Sequence, residues 1–215
     1  MYFIEYLFVL LSAALLLQAA PLNERVVSSK CPSYTIINTR GTSESQGQSS
    51  GFRTMNSRIT SQLSGGKIYS TRELESQDII DKISSTMRSS PKECFVLQGY
   101  SQGAAATVNA LAKLTGASFD AIMGVFLIGD PLRKSGLSCN VDNNGGTTTR
   151  NVNGLSAFGS AGIPSNWQGK MLEGDGVCDT TQGAGINAAH LQYSRDSPTQ
   201  NLGTSFTVKQ LGGSG

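Results

Sequence analysis

The chain has 215 residues, 25 of them glycine, with 15% charged and 38% apolar residues. A net charge of +2, from 17 basic and 15 acidic side chains, gives no electrostatic reason to expect nucleic acid or an acidic membrane surface as a partner. One histidine and four widely spaced cysteines exclude a zinc finger or a multi-histidine metal centre, and the length suits one domain with its own core.

The apolar run from Leu7 to Leu17, ending in Gln18-Ala19-Ala20, has the length and small-residue close of a secretory signal, although Glu5 stands where a positive charge is usual. A membrane anchor is the alternative, but the run falls short of the ~20 residues that a span needs. Residues 1–20 are therefore expected to be a signal peptide and 21–30 a short polar segment, with one domain over 31–215. In an oxidising compartment the even set Cys31, Cys94, Cys139 and Cys178 predicts two disulfides.

Within the domain, the β-branched run Tyr34 to Thr39 predicts a buried strand that stops at Arg40-Gly41. Phe52, Met55, Ile59 and Leu63 recur at helical spacing and end at Gly65-Gly66, and Ile79, Ile80, Ile83 and Met87 mark a second amphipathic helix. Cys94 to Gln98 is a short apolar strand, followed by an alanine-rich helix from Ala104 to about Leu114. Ala121 to Ile128 predicts another buried strand, closed by Gly129-Asp130-Pro131, and Asn140 to Arg150 is a polar surface loop. Strands alternating with helices point to an α/β fold with a parallel sheet covered on both faces.

Two segments match G-x-S-x-G. Gly47-Gln48-Ser49-Ser50-Gly51 follows Thr-Ser-Glu-Ser-Gln, which no core strand contains, and reads as loop. Gly99-Tyr100-Ser101-Gln102-Gly103 lies between an apolar strand and an alanine-rich helix, the setting of a nucleophile elbow. There a tight turn presents Ser101 at the strand's carboxyl end, and the helix dipole and free N–H groups face a developing oxyanion. A serine nucleophile needs a base, and His190 is the only histidine. A lone histidine is more often structural, but here the order Ser…acid…His is available. Asp175, in Gly174-Asp175-Gly176, competes for the acid's role with Asp179, Glu173 and the more distant Asp130, and spacing alone does not choose among them.

Thr39-Arg40-Gly41-Thr42, Gly99 to Ala104, Gly174-Asp175-Gly176-Val177-Cys178 and His190-Leu191-Gln192-Tyr193, in that order, resemble the cutinase family of small secreted serine esterases, above all its fungal and yeast cutinase-like enzymes. The resemblance runs from Cys31 to about Leu211. It implies a compact, lidless α/β-hydrolase with a central, mostly parallel five-stranded sheet and helices on both faces. It also implies a carboxylic ester hydrolase with Ser101 as nucleophile, Asp175 as acid, His190 as base, and Thr42 and Gln102 at the oxyanion hole. The implied substrates are cutin-like polyesters or short to medium acyl esters, with no cofactor and no metal; a secreted monomer is expected. An acetylxylan esterase, or a decayed binding protein on the same fold, are the rival readings.

The family joins the regions of Cys31 and Cys94. Cys139 and Cys178 are then expected to bridge in its place a local disulfide that is missing, because Met171-Leu172-Glu173 stands where a cysteine usually precedes the Gly-Asp turn. The connection from Tyr69 to Asp78 is also about a dozen residues shorter than the resemblance leads one to expect, which suggests a truncated strand.

Overall fold

The computed structural model describes residues 31–72, 76–134, 137–141, 167–180 and 183–212. The expected signal peptide, the 21–30 segment and most of the Asn140–Arg150 loop lie outside them. In chain order the elements are β1 (Tyr34–Thr39), α1 (Arg53–Gln62), β2 (Gly66–Ser70), α2 (Ser76–Ser89), β3 (Cys94–Tyr100), α3 (Gln102–Leu111), α4 (Gly116–Asp120), β4 (Ile122–Ile128), β5 (Asn140–Val141), β6 (Trp167–Lys170) and α5 (Ser197–Gln210).

The strands form one parallel sheet in the order β2-β1-β3-β4-β6-β5. It has six strands where five were expected. Asn140 and Val141 of β5 pair with Gly169 and Lys170 and are buried, so these two residues of the predicted polar loop are strand. Alternation along the central strands sends side chains to two layers. Ile36, Val96, Phe126 and Ile128 pack with Phe52, Met55 and Ile59 of the α1 segment and Phe206 of α5. Ile37, Phe95, Leu97, Val125 and Leu127 pack with Ile79 and Ile83 of α2 and Val108 and Leu111 of α3. Burial on both faces is what a parallel sheet requires, and it explains the near-continuous apolar runs of β3 and β4.

The short connection after Tyr69 does not cost the sheet a strand. β2 pairs with β1 from Gly66 to Ser70, and α2 begins at Ser76. Asp78 in the first turn of α2 closes the link, accepting from the Tyr69 hydroxyl (3.0 Å), the Arg72 N–H (2.7 Å) and the Arg72 guanidinium (3.0 Å). These bonds hold the Asp78 carboxyl below its ordinary range although burial alone would raise it.

Cys31 and Cys94 form a disulfide across 63 residues of sequence, which in the chain-entropy picture stabilises the fold by ~4 kcal/mol. The expected Cys139–Cys178 bridge is corrected: both are free thiols. Cys139 packs against the layer of α2 and α3, whereas Cys178 is buried beside Tyr193, which belongs to the layer of α1 and α5. Burial pushes both thiols up, so neither is a reactive thiolate.

Candidate active site

The strand–turn–helix context predicted for Gly99–Gly103 is the one observed. Ser101 follows β3 and N-caps α3 at φ 54°, a left-handed conformation that non-glycine residues seldom adopt. The flanking glycines make the turn possible. A Cβ on Gly99 would lie 2.5 Å from Ala104 Cα, and one on Gly103 would lie 2.4 Å from the carbonyl oxygens of Thr39 and Arg40. Strand, helix and the neighbouring loop therefore meet at distances that only hydrogen side chains allow. The Ser101 N–H donates to the Ile128 carbonyl (3.0 Å), which ties the elbow to the end of β4.

The structure brings Ser101, His190 and Asp175 together. His190 Nε2 is 2.9 Å from Ser101 Oγ, and His190 Nδ1 is 2.9 Å and 3.0 Å from the two Asp175 oxygens. With the ionised carboxylate accepting, Nδ1 carries the proton and the Nε2 lone pair faces the serine hydroxyl. Ser101 is 7%, His190 2% and Asp175 0% exposed, so these bonds act where water screens them little. Asp175 further accepts from the Tyr193 hydroxyl (2.7 Å) and the Val177 N–H (3.0 Å). Burial would raise its pKa, but these donors together with His190 hold the carboxyl below the ordinary range.

The rival acids lie elsewhere. Asp179 is buried and braces the turn, its Oδ2 accepting from the Gly174 N–H (3.1 Å) while its own N–H donates to the Asp175 carbonyl (2.6 Å). Glu173 is exposed. Asp130 accepts from the Leu132 N–H (2.9 Å) and sits beside Arg133; burial pushes its carboxyl up to about 6. Ser49 is buried in the turn before α1, its N–H donating to Asn38 Oδ1 (2.7 Å) and its Oγ accepting from the Gly51 N–H (3.2 Å).

Thr42 and Gln102 stand side by side at the surface. The Thr42 hydroxyl donates to Gln102 Oε1 (2.7 Å), which commits its proton. Gln102 is the first residue of α3, so its N–H has no intrahelical acceptor.

Three residues with no role assigned from sequence hold the histidine and the acid. The Tyr193 hydroxyl, besides donating to Asp175, accepts from the Leu172 N–H (3.0 Å) and lies 3.7 Å from Cys178 Sγ. Tyr100 stacks on the His190 ring at 5.2 Å between centroids and donates its hydroxyl to the His190 carbonyl (2.6 Å). Burial, with the negative charges of Glu44 and Asp175, pushes that phenol up, so it remains a donor. Asn187 joins the two loops, its Oδ1 accepting from the His190 N–H (3.0 Å) and its Nδ2 donating to the Gly174 carbonyl (2.7 Å). Gly129 makes room for the imidazole: it has φ 57°, and a Cβ there would lie 2.7 Å from His190 Cε1. Among the described residues, no group of three or more His, Cys, Asp or Glu side chains is arranged to hold a metal ion.

The sequence matches the cutinase family over residues 30–211. A comparison with curated proteins finds no match. Among solved structures, a cutinase-like protein from Cryptococcus sp. is 55% identical with a TM-score of 0.80, covering 88% of this chain and 100% of that one. The catalytic core domain of acetyl xylan esterase from Trichoderma reesei is 22% identical (TM-score 0.68; 85% of this chain, 100% of that one). Trichoderma reesei cutinase in complex with a phosphonate inhibitor is 21% identical (TM-score 0.57; 86% and 81%). The two Trichoderma proteins share the fold; the family match and the 55% identical neighbour establish kinship, and the chain belongs to the cutinase family of carboxylic ester hydrolases.

Proposed function

We propose that this chain is a secreted, monomeric serine esterase that cleaves aliphatic and polymeric esters such as cutin through an acyl-enzyme on Ser101. The observation that carries the reading is the unbroken hydrogen-bonded line from Ser101 Oγ through the His190 imidazole to a buried, charged Asp175. Ser101 Oγ attacks the ester carbonyl as its proton passes to Nε2, and Asp175 stabilises the imidazolium and fixes its tautomer. The backbone N–H groups of Thr42 and Gln102 receive the oxyanion, each worth ~3 kcal/mol in the transition state. His190 returns the proton to the leaving alcohol, and water activated by the same imidazole releases the acid. No cofactor takes part in these steps.

The loop that carries His190 supports an aliphatic acyl group. Leu191 follows the histidine and is 64% exposed, and Ile186, in the same loop, is 61% exposed. Exposed large apolar side chains on one loop beside a nucleophile suit an alkyl chain or an insoluble polyester better than a hydrated sugar. The test is an ester panel from acetyl to palmitoyl together with acetylated xylan and an aliphatic polyester. Polyester release and a rate maximum beyond acetyl are expected. A strict preference for acetyl and for acetylated xylan makes the protein an acetylxylan esterase instead. No hydrolysis, with Ser101 unlabelled by a phosphonate, makes it a decayed binding protein.

A further inference from the structure

The segment that carries Thr42 is built in an unusual way. Gly41-Thr42-Ser43-Glu44 is a β-turn closed by the Glu44 N–H on the Gly41 carbonyl (3.3 Å), with Ser43 at φ 69°. A left-handed serine at the third position of such a turn is where glycine is ordinarily found. Strained backbone of this kind persists only where surrounding bonds over-determine it. One side chain makes three of those bonds. Glu44 Oε2 accepts the Gly41 N–H (2.7 Å), and Oε1 accepts both the Ser50 N–H (2.7 Å) and the Ser50 hydroxyl (2.6 Å). The carboxylate thus ties the two ends of the 41–50 loop together, and its three charge-assisted bonds are of the strong kind.

The loop so tied lies against the nucleophile. A Cβ on Gly41 would approach Tyr100 Cδ1 to 3.0 Å and Ser101 Cβ to 3.4 Å. Further anchors hold the loop. Arg40 donates to the carbonyls of Glu44 (3.1 Å), Thr71 (3.1 Å) and Arg72 (3.2 Å). Gln46 Nε2 donates to the Thr71 carbonyl (3.1 Å), the Thr42 hydroxyl donates to Gln102 Oε1 (2.7 Å), and Asn38 holds the Ser49 N–H. None of these reaches the turn's own N–H groups. Glu44 does.

We propose that Glu44 is the positioning residue of the oxyanion hole, its carboxylate holding the Gly41–Glu44 turn in the strained form that aims the Thr42 N–H at the oxyanion. The proposal rests on the reading of Ser101 as nucleophile and of Thr42 and Gln102 as oxyanion donors. Glu44 itself touches no reacting atom in this scheme. Its effect is on where a donor stands, and misplacing such a donor by an ångström lowers the rate steeply.

The experiment compares the wild-type enzyme with Glu44→Gln, Glu44→Ala and Ser50→Ala, using p-nitrophenyl butyrate, active-site titration with an alkyl phosphonate, and inhibition by an alkylboronic acid. The boronate forms a tetrahedral adduct on Ser101 that places an oxygen in the hole. Gln keeps one acceptor oxygen and loses the other, so kcat per titrated site is expected to fall by about 10-fold to 100-fold, with KM within about 2-fold, as for loss of a donor used mainly in the transition state. Glu44→Ala is expected to fall further and Ser50→Ala, which removes one of three bonds, by only about 3-fold. Boronate affinity should drop in proportion to kcat/KM across the series. A merely structural role would lower the number of titratable sites and leave kcat per site and boronate affinity intact; that result overturns the proposal. If Glu44→Ala does not fold, Glu44→Gln decides, and kcat and boronate affinity both within about 2-fold of wild type for Glu44→Gln also overturn it. Failure of the phosphonate to label wild-type Ser101 would instead strike the nucleophile assignment, a result separable from any difference among the variants.

Discussion

Asp175 and His190 are almost wholly buried and are held by direct, short bonds from side chains whose positions the core fixes, whereas Thr42 and Gln102, on the other side of the elbow, are exposed. The contrast follows from what each side must do in the proposed mechanism. An acid–base pair never leaves its partner, so it gains from a low-dielectric setting where each hydrogen bond is strong. An oxyanion donor must stay open to the substrate, so it is held from behind through the backbone of its own loop. Changes on the buried side should therefore register in stability and pH dependence as well as in rate, and changes on the open side mostly in rate.

The largest effect expected is at the point where both sides meet. Ser101→Ala and His190→Ala should each lower kcat by more than ~10⁴-fold with the far-UV spectrum unchanged, since nucleophile and base act as a unit. Ser49→Ala, in the second G-x-S-x-G, should stay within about 2-fold in kcat and show only a modest loss of melting temperature, because Ser49 has a turn's bonds and no base among its described partners. An inactive Ser49 variant beside an active Ser101 variant would reverse the assignment.

Next in size is the choice among carboxylates. Asp175→Asn should lower kcat by ~10³ to 10⁴-fold, because the amide presents a donor to Nδ1 and favours the wrong tautomer. Asp179→Asn alters a brace rather than a partner of the imidazole, so it should cost about 1–3 kcal/mol of stability and much less in rate. Urea denaturation alongside steady-state kinetics for the two variants separates the roles, and a rate loss in Asp179→Asn as deep as in Asp175→Asn would argue against the pairing.

Much of this is legible in the amino-acid sequence. The central strands announced themselves because burial on both faces leaves unbroken apolar runs, and the elbow because strand, glycines and helix are contiguous. The edge of the sheet was not legible: Gly66–Ser70 carries too few apolar residues, Asn140-Val141 is too short, and in the C-terminal helix α5 the buried threonines and Gln200 blur the apolar stripe. The acid could not be chosen by spacing because Asp175 and Asp179 occupy the same turn and both are buried; what distinguishes them is which one meets the imidazole. Tyr193 was in view as part of His190-Leu191-Gln192-Tyr193, but its role depends on chain segments that only tertiary folding assembles.

Tyr193→Phe tests the buried side at a smaller scale. It removes a donor from Asp175 and leaves the Leu172 N–H unpaired, so a loss of about 1–3 kcal/mol and about 10-fold in kcat is expected. The pH dependence gives the sharper reading. A carboxyl more acidic folded than unfolded contributes stability above its unfolded pKa, about 4, and that stability is lost as pH falls through the folded value. Without the phenol the folded value rises toward the unfolded one, so the variant should show a lower plateau near neutrality and a shallower decline below about pH 4. A decline parallel to the parent's would mean that Tyr193 does not help to hold Asp175 charged.

Asp130 supplies the smallest effect on rate, and the sign of its pH dependence is opposite. Burial pushes this carboxyl up to about 6, above its unfolded value, so folding favours the protonated form. Its contribution to stability is complete below about pH 4 and is lost as pH rises to about 6, beyond which the buried charge is a constant cost that Arg133 only partly offsets. Asp130→Asn keeps an oxygen for the Leu132 N–H and never carries that charge. The variant should melt at nearly the parent's temperature at about pH 4 and gain about 3 kcal/mol relative to it at about pH 8. Turnover should be unchanged within about 2-fold, because Asp130 shares no hydrogen bond with His190 among the described residues. A variant that loses stability at pH 8 would show that the Asp130 charge is needed by Arg133, and one that loses turnover would return Asp130 to contention as the acid.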